Sequence, residues 1–249
     1  MVTGASRGLG RELALALARE GYALMVYARG ANELVAVRDE IIALGSTCWI
    51  CPGDLISSDV RDLTLFLKHS SSVEVLINNA ASPPQLKRLE ETRASSDYRQ
   101  VFSLNFYVPY RLMQAAIPGM KARGSGTIVN ICSLAGRRAI KNVSLYSASK
   151  FALRGLTEAV AQELEGTGVR CFSVSPGGMR TRMRQNLLGD AAQQQDPSVV
   201  AEIIVEAIVG KIPVPQGADL VVRGGAYTVV PRERWTGLTM EHGQEVPVA

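Results

Sequence analysis

The sequence predicts an α/β protein built on a doubly wound parallel sheet of about seven strands with helices on both faces. Three observations carry this expectation. Apolar runs alternate with amphipathic stretches from one end of the chain to the other, the order that a parallel sheet with covering helices imposes. The runs are short and continuous rather than alternating, as strands buried on both faces are. No Pro/Gly/Ser-rich linker divides the 249 residues, and there is no internal repeat, so a single domain over 1–249 is expected.

The elements follow in order. Only Met1 and Val2 precede the turn at Thr3-Gly4, so the first strand is either very short or lacks its natural beginning. Buried strands are expected at Tyr22–Ala28, Thr47–Cys51, Val73–Asn78, Gly126–Cys132, Val169–Val174 and Ala218–Val222. Helical patterns lie between them at Gly10–Glu20, Ala31–Leu44, Asp59–His69, Ser96–Ala122, Ser147–Glu165 and Pro197–Val209. Arg180–Asp196 is polar and glutamine-rich, and reads as a mobile insertion before the last helix. Pro231–Ala249 has no periodicity and reads as an extended tail.

Composition narrows the class of function. Hydrophobic residues make up 47% and charged residues 20%, which fits an ordinary globular protein rather than disorder or a disulfide scaffold. The net charge of +4 is scattered apart from Arg137-Arg138 and Arg180–Arg184, without the basic stripe of a nucleic-acid binder. Cys48 and Cys51 form a C-x-x-C pair, but residues three apart on a strand face opposite sides. They read as small buried apolar groups, as do Cys132 and Cys171, and no metal site is expected. No apolar run reaches about 18 residues and no signal-peptide pattern opens the chain, so a soluble cytoplasmic protein is expected.

Thr3-Gly-Ala-Ser-Arg-Gly-Leu-Gly10 is a glycine turn that runs straight into a helix. Gly4, Gly8 and Gly10 remove Cβ atoms where a backbone turns tightly or approaches a ligand. The helix N-terminus then offers free N–H groups and partial positive charge to a pyrophosphate. The spacing G-x-x-x-G-x-G resembles that of the short-chain dehydrogenase/reductase family, whose fold is Rossmann-like. Further motifs share the resemblance. Asn78-Asn79-Ala80-Ala81 is similar to the family's N-N-A-G, with alanine for the glycine. Pro176-Gly177 followed by Thr181 is similar to P-G-x-x-x-T. Arg223-Gly224-Gly225 is similar to a closing D-G-G, with arginine for the aspartate. The resemblance implies NADP(H) or NAD(H) held by Gly4, Ser6, Arg7, Gly8, Leu9, Gly10, Asp54, Leu55, Asn79, Ala80, Ala81, Pro176, Gly177, Met179 and Thr181. It makes 1–130 mainly the cofactor half and 131–230 the catalytic and substrate half, with 231–249 a tail.

Tyr146 and Lys150 stand four residues apart, so on a helix they share a face. A cation beside a phenol favours the phenolate, which lowers the Tyr146 pKa toward the working range of an acid/base catalyst. Ser133, at a strand end, is placed to hold a substrate oxygen, or simply to cap a turn. Asn105 sits in mid-helix, where asparagine is poor. The resemblance assigns it the support of a proton path to Lys150, and assigns Lys150 the nicotinamide ribose. The expected reaction interconverts a carbonyl and an alcohol. The competing reading is a non-catalytic NADP-binding scaffold. The other enzymatic alternative is a nucleotide-sugar epimerase or dehydratase of the extended relatives, which need a larger C-terminal substrate domain than the roughly seventy residues after Pro176 are expected to supply.

Cofactor choice is read at the end of the second strand, Val26-Tyr27-Ala28-Arg29. An NAD enzyme places an acid there for the ribose 2′-OH; here Arg29 stands instead, and the first acid downstream is Glu33. With Arg7 in the glycine turn, Arg29 points to NADP(H). Apolar and small residues on more than one face of the Ser96–Ala122 and Ser147–Glu165 helices point to a homodimer or homotetramer.

Overall fold

The computed structural model describes residues 1–57, 59–69, 72–181, 194–232, 238–241 and 244–247. An eight-stranded sheet runs β3-β2-β1-β4-β5-β6-β7-β8. Its strands are β1 Val2–Thr3, β2 Leu24–Ala28, β3 Cys48–Pro52, β4 Val75–Asn78, β5 Gly126–Ile131, β6 Val169–Pro176, β7 Asp219–Arg223 and β8 Ala226–Val230. All neighbours are parallel except β7 and β8. The strand order reverses between β1 and β4, so the crossovers before and after lie on opposite faces. That reversal opens the crevice where such sheets bind ligands.

Each face has its own apolar core. On one side α1 (Gly8–Arg19), α2 (Ala31–Ala43) and the C-terminal helix Pro197–Ile208 bury Leu13, Leu17, Leu34, Val200 and Ile204 against the sheet. On the other, α3 (Asp59–His69), α5 (Val108–Arg123) and α6 (Ser144–Glu163) bury Leu67, Leu112, Met113 and Ala161. The Pro197–Ile208 helix, here α7, starts with Asp196 accepting from the Ser198 backbone N–H and with Pro197 in its first turn, both favoured at a helix start.

The eighth strand, which the sequence reading omits, follows from Gly224 and Gly225. Both have positive φ, as a two-residue hairpin loop that matches strand twist requires. Arg223-Gly224-Gly225 therefore turns the chain back onto β7 instead of ending the sheet. The expected unstructured tail also contains an antiparallel pair, β9 (Leu238–Glu241) with β10 (Gln244–Pro247). The long helix expected over Ser96–Ala122 is interrupted: two π turns, Ala94–Tyr98 and Ser103–Tyr107, flank a short α4 (Arg99–Phe102) before α5. The expected insertion Arg180–Asp196 falls mostly, at 182–193, outside the described residues. Its ends clasp through Arg180 N–H to Gln195 O and Gln195 N–H to Gly178 O.

Candidate active site

A cavity of ≈ 1630 Å³ runs along the C-terminal ends of the strands, from the β1–α1 turn to Tyr146. Typical small-ligand pockets occupy about 300–1,000 Å³, so this one has room for a dinucleotide and a second molecule. Every cofactor-side residue singled out in the sequence, from Gly4 through Asp54, Leu55 and the Asn79–Ala81 turn to Pro176, Met179 and Thr181, lines it.

At the cofactor end the glycines act as expected. Gly4 and Gly8 have φ of +67° and +56°. A Cβ on Gly10 would lie 2.2 Å from Gly4 O and 2.5 Å from Asn79 Nδ2. Asn79 is a latch as well as a lining residue: its Nδ2 donates to Thr3 O (2.9 Å) and Gly4 O (3.2 Å), and its own N–H goes to Thr3 Oγ1. Helix α1 opens with no side-chain cap and no acid in its first turn. Its leading N–H groups therefore face the cavity unpaired by side chains, a cradle suited to a phosphate. Arg7 and Arg29 are exposed and line the same end. Glu33 is closer than its place in the sequence suggests. It also lines the cavity, and its carboxylate lies 2.1 Å from where a Cβ on Gly30 would be, drawn to the positive N-terminus of α2.

At the other end α6 carries both Tyr146 and Lys150, and β5 ends at Ser133. Lys150 Nζ stands 5.8 Å from the Tyr146 ring centre and donates to Ile131 O at 2.8 Å. Ser133 Oγ accepts from the Ala135 N–H at 3.1 Å, capping the turn Leu134–Gly136, and Ser133 lines the cavity together with Tyr146. The turn-capping reading of Ser133 is therefore what the structure shows. The expected acidification of Tyr146 does not hold. Tyr146 opens partly to the cavity, and burial pushes its hydroxyl up to about 12, with Ser133 acting in the opposite direction. Burial also lowers Lys150 to about 8. Desolvation penalises the charged form of each group and is the largest cause of both shifts.

Asn105 does not line the cavity. Fully buried in the second π turn, it accepts from the Ser82 N–H (2.7 Å) and donates to Ser149 Oγ (3.0 Å), which itself donates to Tyr146 O (2.8 Å). Its side chain ties the cavity-lining Ser82 segment to the helix of Tyr146 and Lys150. The sequence reading found Asn105 but missed Ser82 and Ser149. It also missed Asp219, fully buried, which accepts from Ser173, Ser175 and Arg137 (2.6 Å). Only the serines at alternate β6 positions hinted at that arrangement.

A glycine-turn cleft at the switch point of a doubly wound sheet, leading to a buried tyrosine and lysine on one helix face, defines an oxidoreductase of the dinucleotide-binding α/β class. The chain belongs to the short-chain dehydrogenase family, whose profile, described as short chain dehydrogenase, matches residues 1–192. It is 33% identical over 220 residues to the ketoacyl reductase HetN of Nostoc sp., covering 85% of this chain and 75% of that protein. Among solved structures, a putative NAD(P) dependent gluconate 5-dehydrogenase from Beutenbergia cavernae with bound NADP superposes with a TM-score of 0.81. It is 29% identical, covering 90% of this chain and 94% of the other. A metagenomic short-chain oxidoreductase in complex with NADP gives a TM-score of 0.75 at 30% identity, covering 89% and 95%. Among the described residues no helix is long and apolar enough to cross a membrane.

Proposed function

We propose that this protein is an NADP(H)-dependent oxidoreductase that interconverts a carbonyl and an alcohol. The observation that carries the reading is the continuity of one cavity from the uncapped α1 N-terminus to Ser133, Tyr146 and Lys150. Glycine-turn amides, Arg7 and Arg29 hold the dinucleotide, with Asp54, Leu55 and Ala80-Ala81 beside its adenosine and Pro176 to Thr181 at its nicotinamide end. When bound, the nicotinamide supplies or accepts the hydride. Tyr146 gives its hydroxyl proton to the carbonyl oxygen, and Ser133 Oγ holds that oxygen as charge develops. Lys150 supplies positive charge beneath Tyr146 and binds the ribose, and Asn105 fixes α6 so that both face the cavity. The reading also takes the chain as one cytoplasmic domain that assembles as a homodimer or homotetramer, with Tyr107, Tyr110 and Phe151, all exposed here, at the interface.

A screen of ketones and aldehydes that follows NADPH absorbance tests this reading. Turnover of at least one carbonyl that Tyr146→Phe abolishes supports it. Tight NADPH binding with no turnover across the panel would favour the scaffold reading.

A further inference from the structure

We infer that the substrate carries an oxyanion, a carboxylate or phosphate, and that Arg137 selects it. This deepens the proposed carbonyl reduction and rests on it. Arg137 lies four residues beyond Ser133, directly after the turn that Ser133 caps, and lines the cavity. Its side chain is 25% exposed, and one nitrogen, NH1, donates to Asp219 Oδ2. Asp219 is satisfied from the other side: Ser173 donates to Oδ1, and Ser175 reaches both oxygens. A guanidinium has five N–H donors in a planar fork. Among the described residues Arg137 spends its hydrogen bonds on Asp219 alone, so most of the fork remains unspent in a largely desolvated place. Such a fork matches a carboxylate or phosphate two bonds at a time.

The surroundings reinforce this. The Arg154 guanidinium feels both the Asp219 charge and the opposing charge of Arg137, which adds positive charge behind the fork. Around the substrate end of the cavity stand Arg138, Arg180 and Arg223. The one lining acid there, Asp196, is already paired with Arg180 at 2.5 Å. A cavity wall of one sign concentrates ligands of the other. The Asp219 pair fixes the fork in place, so little side-chain freedom is lost when an anion binds.

The experiment compares matched carbonyls with NADPH: a series of straight-chain keto acids of increasing length, their methyl esters, and hydroxyacetone phosphate beside hydroxyacetone. The acid or the phosphate is expected to exceed its neutral partner in kcat/KM by at least about tenfold, as one charge-assisted contact supplies. Preference for the acid identifies a carboxylate ligand, and preference for the phosphate a phosphate ligand. In Arg137→Lys, which keeps a cation for Asp219 and removes the fork, the charged-to-neutral ratio is expected to fall at least tenfold. Esters reduced as well as acids, with no preference for the phosphate, overturn the inference while leaving the reduction standing. So does an Arg137→Lys variant in which both rates fall and the ratio holds, the mark of a merely structural role. No reduction of any carbonyl, charged or neutral, overturns the reduction itself and the inference with it.

Discussion

The two ends of the cavity recognise charge by opposite means. At the cofactor end Arg7 and Arg29 project from turns into solvent, and neither makes an ion pair among the described residues. At the catalytic end the charges are built in: Lys150 is 2% exposed and bonded to Ile131 O, and Asp219 is fully buried beneath Arg137. The exposed pair can change without touching the fold, so cofactor preference is cheap to alter. The buried groups are bonded into β5, β6 and β7, so changing them moves stability and chemistry together.

Five measurements sharpen or break that contrast. The largest effect is expected from Tyr146→Phe, which removes only a hydroxyl that acts in the transition state. Turnover should fall by a factor of about 10² to 10⁴, with NADPH affinity by calorimetry held within about twofold; wild-type turnover would remove Tyr146 from the chemistry. Next comes Asp219→Ala, which strands Arg137 and leaves Ser173 and Ser175 facing a void. Breaking a buried pair on one side typically destabilises by about 3–5 kcal/mol, readable as a lower denaturation midpoint. A loss under about 1 kcal/mol would mean that the pair is solvated after all.

The exposed end is expected to respond in affinity alone. Ala28→Asp with Arg29→Ala should move preference from NADPH toward NADH by about tenfold or more, while Arg29→Ala alone, at an exposed position, should leave the unfolding midpoint unchanged. Because the Glu33 carboxylate already sits against Gly30, Glu33→Gln should sharpen the preference of the unmodified protein for NADPH. Tighter NADH binding by the unmodified protein would show that Glu33 rather than Arg29 governs the site.

The smallest effect concerns pH. Lys150 is held down at about 8 from 10.5, so the folded chain releases this proton before the unfolded chain does. Below pH 8 the full penalty for charging it applies. Stability should recover as pH rises from 8 toward 10.5, by about 1 kcal/mol between pH 7.5 and 9. The difference between wild type and Lys150→Met isolates this gain from the buried thiols Cys132 and Cys171, held near 12, which act in the opposite direction above pH 9. Parallel pH profiles for the two proteins would show that Lys150 is solvated. Tyr146, raised to about 12, keeps reduction flat across neutral pH, while oxidation should climb as pH rises.

Much of this was legible in the sequence where the cause was local. Helix α3 has the bounds its periodicity predicts, Asp59–His69, and the glycine turn, β5 and the Tyr146–Lys150 pair follow from patterns a few residues long. What escaped was set across the fold. The π turn at Asn105 depends on partners at Ser82 and Ser149, 23 and 44 residues away, and no local pattern announces it. The high Tyr146 pKa escaped because spacing shows which groups are neighbours but not how much water they lose. Arg137 and Asp219 lie 82 residues apart, and each alone resembles a surface charge.

That separation also bears on how the chain acquires its site in time. As the polypeptide is made, Arg137 emerges long before Asp219, with β6 and α7 still to follow. Contacts between distant residues form late and slow the folding of sheet-based domains. Until β7 docks, the turn after Ser133 has a charge and no anchor. A chain that ends before Asp219 lacks the carboxylate that Arg137 donates to, so the turn after Ser133 has no such anchor. Arrival of β7 is then the event that fixes the turn after Ser133, because only β7 brings Asp219 to Arg137.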